Sequence, residues 1–212
     1  MGNTDIYDIV NKQRIFFRTG ESLNIKWRIK QLKKLKDSIR CHESEIEQAL
    51  KDDLGRTETE AYLCDILPML IEIDEIIHGL RKWAKAEKHY SGILCFPSLI
   101  TKVNKLPYGV CLIISPFNFP FLLSLGVLAA AIAGGNTVVL KTSSKSKAST
   151  RVIKKIIEGI FDEQYVTVVE GGHEVADECL EQRFDKIFYT GSPKVAVHVL
   201  EKAAVNLTPV GL

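Results

Sequence analysis

The sequence predicts an α/β protein in which N-terminal helices and a β-hairpin arm pack beside a doubly wound parallel sheet. Three observations carry this. After Tyr108, short, largely apolar runs at 110–115, 138–141, 166–169 and 186–189 alternate with helix-length segments, the pattern of repeated βαβ units. The earliest of these runs are continuously apolar, as strands covered on both faces require. Before that point apolar residues recur at helical rather than strand spacing.

In chain order, residues 3–17 form a weak amphipathic helix, broken by Gly20, Glu21 and Ser22. Apolar residues at 25, 29, 32, 35, 39, 46 and 50 then predict one long helix over 23–54, stopped by Gly55 in a left-handed conformation. Thr57 and Glu60 have the spacing of a capping box. The helix they open is expected to run through Leu63, Ile66, Leu70, Ile73 and Ile77 to about Lys88, kinked at Pro68. Residues 93–107 read as a hairpin turning at Phe96-Pro97-Ser98, with Leu99, Ile100 and Val103 on the returning strand. Carrying Cys95, Phe96 and Leu99, it presents an apolar edge that calls for a partner.

From there the strand over 110–115 is followed by a Leu- and Ala-rich helix over 121–133, closed by Gly134-Gly135. The strand at 138–141 leads to a helix over 147–159 with Ser146 at its cap. The strand at 166–169 closes on Gly171-Gly172, and a helix over 174–181 precedes the strand at 186–189. Pro193 then sits at the start of the helix over 194–204, where its missing N–H is harmless. A last strand covers 207–212. The organisation is thus a helical segment over 1–90, the hairpin over 91–107 and a sheet-bearing core over 108–212.

Composition narrows the function. Apolar content of 46%, charged content of 25% and a net charge of +2 are those of a soluble globular chain, and they argue against nucleic acid as a partner. The basic run from Lys26 to Lys36 interleaves with Ile29, Leu32 and Leu35 and reads as a solvated helix face. Five cysteines without CxxC spacing fit reduced thiols, and no N-terminal segment has a signal peptide's layout, so a cytoplasmic protein is expected. The apolar run over 119–133 is interrupted by Pro120 and too short to span a bilayer. His173 and His198 have no acid or thiol at metal-ligand spacing, and no metal is expected.

Chemistry concentrates at strand ends. Asn118, within Ser115-Pro116-Phe117-Asn118, either donates its amide to an oxygen that gains negative charge or bonds its own backbone in a turn. Thr190-Gly191-Ser192 opens a helix, which either receives a phosphate on its N–H groups or is only a tight βα turn. Lys141, followed by Thr142 and Ser143, either reaches a ribose or phosphate or is solvated.

Together, PYGVCLIISPFNFP, GGNTVVLKTSS, FYTGSPKVA and LTPVGL resemble the aldehyde dehydrogenase superfamily, and DLGRTETEAYL is most similar to its shorter, class-3-type branch. The resemblance covers essentially the whole chain and implies a Rossmann-like sheet binding NAD or NADP, with an aldehyde as substrate. It implies that Asn118 is the oxyanion donor and that Lys141, with Ser143 beside it, contacts the adenosine ribose. Thr190, Gly191 and Ser192 would turn over the pyrophosphate, and Val195 would lie against the adenine. Ser115, Pro116 and Phe117 would line the channel, and Gly171 and Gly172 would lie near the adenine end. The arm at 93–107 would make a homo-oligomer.

Three departures from the family pattern matter. Thr142, Ser143 and Ser144 stand where the family has Pro-Ser-Glu; without that acid, a 2′-phosphate is expected to be tolerated. Ala196 stands where many members have glycine. The chain stops at Leu212, before the family's catalytic glutamate and cysteine, so these residues alone are expected not to oxidise aldehydes. The alternative expectation is a non-catalytic remnant that binds nucleotide weakly or only associates with a partner chain.

Overall fold

Asp5 begins the first helix by accepting from the Tyr7 N–H at 2.9 Å, and Ile6, Ile9 and Val10 give that helix its buried face. The structure, a computed structural model, describes residues 5–98 and 100–212. Residues 3 and 4 of the predicted first helix, and Leu99 of the predicted hairpin, lie outside these. Helices α1 (Ile6–Arg18), α2 (Ile25–Cys41), α3 (Glu43–Leu54), α4 (Glu58–Ala61) and α5 (Leu67–Trp83) come first. Strands β1 (Glu87–Tyr90) and β2 (Ile100–Val103) then form a two-stranded antiparallel arm.

The rest alternates: β3 (Val110–Ile114), α6 (Val127–Gly134), β4 (Thr137–Lys141), α7 (Lys147–Ile160), β5 (Val166–Val169), α8 (His173–Glu181), β6 (Lys186–Tyr189), α9 (Pro193–Ala204) and β7 (Val210–Gly211). These five strands are parallel, in the order β5-β4-β3-β6-β7. The chain therefore builds outward from β3 through β4 to β5, then crosses to the other side of β3 for β6 and β7. Side-chain alternation sorts the two faces. Cys111, Ile113, Val138 and Leu140 pack with α2, α3, α5, α6 and α7. Val110, Leu112, Val139 and Ile187 pack with α1, α8 and α9. Both faces are covered, which is why β3 and β4 carry unbroken apolar runs.

Several boundaries differ from expectation. The helix predicted over 23–54 is two helices, because His42 leaves helical geometry at φ −107° and ψ 16°. The apolar stripe continues across that break, so spacing alone did not reveal it. The next helix starts on the predicted capping box of Thr57 and Glu60. It then widens into a π turn over Tyr62–Ile66, and Pro68 sits in the first turn of α5. That helix ends at Trp83 rather than Lys88, and residues 87–90 are the first strand of the arm. Ile93–Cys95, expected in that strand, forms a single 3-10 turn. A second π turn, Leu122–Gly126, opens the α6 segment. The final strand is only Val210–Gly211, since Leu207 turns the chain at φ 52°.

Ser146 stands at the N-cap of α7 but its hydroxyl does not cap it. Asp53 at the end of α3 does so instead, accepting from the Ala148 N–H at 3.0 Å and the Ser149 N–H at 2.7 Å. A carboxylate there also complements the helix dipole.

Candidate functional site

The strand register brings four carboxyl ends level. Ile114 pairs with Lys141 on one side and Tyr189 on the other, and Lys141 pairs with Val169. The ladder continues one step further: Ser115 N–H donates to the Lys141 carbonyl at 3.0 Å, and Thr190 N–H to the Ile114 carbonyl at 3.1 Å. Segments 115–120, 142–146, 170–173 and 190–192 therefore leave the sheet along one edge. The strand order reverses between β3 and β6, the place where open α/β sheets form their ligand crevice.

On the first segment, Ser115 is buried, Pro116 half-buried, and Phe117 and Asn118 exposed. Among the described residues the Asn118 amide makes no hydrogen bond, so the turn in which it bonds its own backbone is not formed. What fixes Asn118 is its carbonyl, which accepts from Arg56 Nη2 at 2.7 Å. The Arg56 guanidinium also lies 4.6 Å from the Phe119 ring centroid and pairs with the Asp65 carboxylate. Asp65 is fully buried within the first π turn, and its Oδ1 accepts from the Leu122 N–H, at the start of the second, at 2.9 Å. Burial pushes the Asp65 carboxyl above its usual range, opposed by the Leu122 N–H and by Arg56. An arginine and an aspartate from the helical segment thus hold the Asn118 loop from behind.

Lys141 is not a solvated strand end. Its side chain is buried, and Nζ donates to the Thr142 and Gly171 carbonyls, both at 2.8 Å, which ties the end of β4 to the end of β5. Burial lowers its affinity for a proton. Ser143 Oγ accepts from the Lys145 N–H at 3.2 Å and shapes the loop, while Lys145 lies 5.2 Å from the Phe117 ring centroid. Gly171 has φ +149°, and a Cβ there would come within 2.3 Å of Val175. Gly172 donates its N–H to Glu174 Oε1 at 3.0 Å.

At the fourth segment, a Cβ on Gly191 would fall 2.1 Å from the Tyr189 hydroxyl, so any other residue must displace the tyrosine or the turn. The Ser192 hydroxyl makes no capping bond, leaving the first N–H groups of α9 free toward the crevice edge. Thr190 and Val195 are half-buried, and Val195 packs against the core beneath α9. The structure therefore brings the predicted loop residues and Lys141 to one edge, while Val195 lies in the first turn of α9 against the core. Those that sequence reasoning missed are Arg56, Asp65 and Glu174. An acid at position 65 inside an apolar helical pattern was the available signal for the second of these.

The loop segments at this edge carry no thiol, although Cys179 lies near enough to Lys141 for their charges to interact. Cys111 lies in β3 and Cys179 on α8, both buried, and burial pushes each thiol up to about 12. Cys41, Cys64 and Cys95 are exposed. Labelling the native chain with iodoacetamide is expected to modify these three, and the two buried thiols only after denaturation. Rapid labelling of Cys111 or Cys179 in the native chain, read by peptide mass, would contradict the burial. Among the described residues there is no group of His, Cys, Asp and Glu side chains able to hold a metal ion, and no helix is long and apolar enough to cross a membrane.

The family model described as "Aldehyde dehydrogenase family" matches residues 1–212. Aldehyde dehydrogenase family 3 member H1 of Arabidopsis thaliana is 39% identical over 211 residues, covering 100% of this chain and 43% of that protein. The 4,4'-diaponeurosporen-aldehyde dehydrogenase of Staphylococcus aureus is 40% identical over 199 residues, covering 94% and 43%. A substrate-bound structure of Staphylococcus aureus AldH superposes with a TM-score of 0.94 at 38% identity, covering 97% of this chain and 44% of that one. Betaine aldehyde dehydrogenase from Staphylococcus aureus in complex with NAD+ gives 0.86 at 26%, covering 97% and 41%. The chain spans less than half the length of these relatives.

Proposed function

The chain belongs to the aldehyde dehydrogenase family, and on that premise we propose that it supplies the cofactor-binding half of an NAD(P)-dependent oxidation of an aldehyde to a carboxylic acid. The observation that carries this reading is the level row of strand ends at the β3/β6 reversal, with Asn118, Lys141, Gly171 and Gly191 on the loops that leave it.

A dinucleotide fits the residues present. Gly191 leaves room for backbone to approach a phosphate, and the uncapped N-terminus of α9 offers N–H donors and partial positive charge. Lys141, with Ser143, holds the ribose side, while Gly172 and Val195 border the adenine. A dinucleotide held by these residues would supply the hydride acceptor. Ser115, Pro116 and Phe117 line the channel to it. The free amide of Asn118 donates to the substrate oxygen as that oxygen gains negative charge, a contribution of about 3–4 kcal/mol for one such donor. Arg56 and Asp65 hold it in place.

The segments at this edge contain no cysteine, and the two buried thiols are un-ionised at neutral pH. We propose that these 212 residues bind nucleotide without oxidising aldehydes unless a thiolate and a general base are supplied from outside them. The exposed apolar residues of the arm, Tyr90, Ile93, Leu94, Phe96 and Ile100, support its role in a homo-oligomer. Five unpaired cysteines support a cytoplasmic setting.

Isothermal titration of the chain with NADH and NADPH tests the reading. Saturable binding of at least one, with no aldehyde-dependent NADH formation by the same sample, is the expected result. Absence of binding to both refutes the cofactor reading, and turnover above a heat-killed control refutes the inactivity.

A further inference from the structure

The carboxyl ends of β4 and β5 carry opposite charges on either side of one glycine pair. Lys141 Nζ donates to the Gly171 carbonyl at 2.8 Å, and the next residue, Gly172, donates its N–H to Glu174 Oε1 at 3.0 Å. The Glu174 carboxylate stands so close over Gly172 that a Cβ there would meet Oε2 at 2.5 Å. The side chain is exposed and, among the described residues, forms no ion pair. The other acid at this edge, Glu170, is taken up by Lys154 at 3.3 Å. The loop after β4, where an acid was expected on the family pattern, offers Thr142, Ser143 and Ser144. The acid at this edge free to meet a ligand is therefore on the β5 side.

In Rossmann-like sites a carboxylate near the ribose accepts from the 2′-hydroxyl and repels a 2′-phosphate. We infer that Glu174 is the residue by which this chain distinguishes a nucleotide with a free 2′-hydroxyl from one carrying a 2′-phosphate. The inference rests on the cofactor reading, which puts the ribose beside Lys141. It replaces the expectation that an acid-free β4 loop leaves the 2′-phosphate tolerated. Its own N–H and that of Gly172 hold the Glu174 carboxyl below the usual range, so the charge is present at neutral pH. Lys141 keeps the same face attractive to hydroxyls while Glu174 sets the sign that a second phosphate meets.

The test is the Glu174→Gln variant, which keeps an amide oxygen for the Gly172 N–H and removes the charge. Calorimetric titration of wild type and variant with NADH and NADPH is the readout, and a melting curve confirms that the variant folds. The wild type is expected to bind NADH at least about 10-fold more tightly than NADPH. In E174Q the NADPH affinity is expected to rise about 10-fold while NADH affinity falls, so that the NADPH-to-NADH preference shifts by more than about 10-fold. If both affinities stay as in the wild type, Glu174 only caps α8 and the inference fails while the cofactor reading stands. If the wild type binds neither nucleotide, both fail together. Should E174Q not fold, Glu174→Asp serves instead. Its shorter carboxylate is drawn back from the ligand, and an unchanged NADPH-to-NADH ratio overturns the inference.

Discussion

Replacing Asp65 with alanine is expected to lower the melting temperature of the chain by roughly 6–20 °C. Asp65 has no exposed surface and satisfies two partners at once, the Arg56 guanidinium and the Leu122 N–H. Removing one member of a buried, hydrogen-bonded ion pair leaves the other uncompensated, at a cost of about 3–5 kcal/mol. Each kcal/mol is worth about 2–4 °C in a domain of this size. The side chain of Arg56 is 16% exposed, so water reaches part of it and the lower half of the range is the better expectation. Asp65→Asn, which still accepts from the Leu122 N–H, is expected to lose clearly less. Calorimetry of the three proteins decides it. A loss below about 1 kcal/mol for the alanine variant would show that the two π turns are held by their apolar packing and not by this pair.

Gly191→Ala is expected to weaken NADH binding by about 5- to 150-fold, with only a small change in melting temperature. The reason is space and not backbone strain, since Gly191 is absent from the residues with positive φ. The new methyl would sit 2.1 Å from the hydroxyl of Tyr189, a rigid ring that is itself buried in the sheet. The tyrosine cannot swing away cheaply, so the turn before α9 must move. Forcing an extra carbon into a packed site costs about 1–3 kcal/mol, and each 1.4 kcal/mol is a factor of ten in affinity. The turn is exposed and carries few contacts, so the displacement falls on the ligand more than on the fold. Unchanged affinity in a titration of the folded variant would remove Gly191 from the site.

Much of this was legible in the residues. Continuous apolar runs identified β3 and β4 because a strand covered on both faces has no polar side to show. Gly55, Gly135 and the Thr57–Glu60 box marked helix ends because left-handed turns and caps demand particular side chains. What escaped was what depends on distant partners. The cap of α7 comes from Asp53, 95 residues earlier in the chain, so Ser146 looked like the cap. The grip on Asn118 comes from Arg56, 62 residues away. Lys141 read as a strand-end cation because nothing local announces that its ammonium turns back onto Gly171. The π turns, too, leave the periodic pattern nearly intact, and the Asp65–Leu122 bond that joins them spans 57 residues.

The first helix has its own dependence on distance. α1 lies across the amino end of the sheet, where Gln13 donates to the Val138 carbonyl and Arg14 to the Asp185 carboxylate, the latter across a separation of 171 residues. Its partners on β3, β4 and the segment before β6 all follow it in the chain. At synthesis rates of about 5–20 residues per second, Ile6, Ile9 and Val10 wait roughly 5–25 s for β3 and β4, the strands they pack on. The apolar face of α1 is thus left uncovered while its strands are being made, and is a segment on which holding chaperones are expected to act.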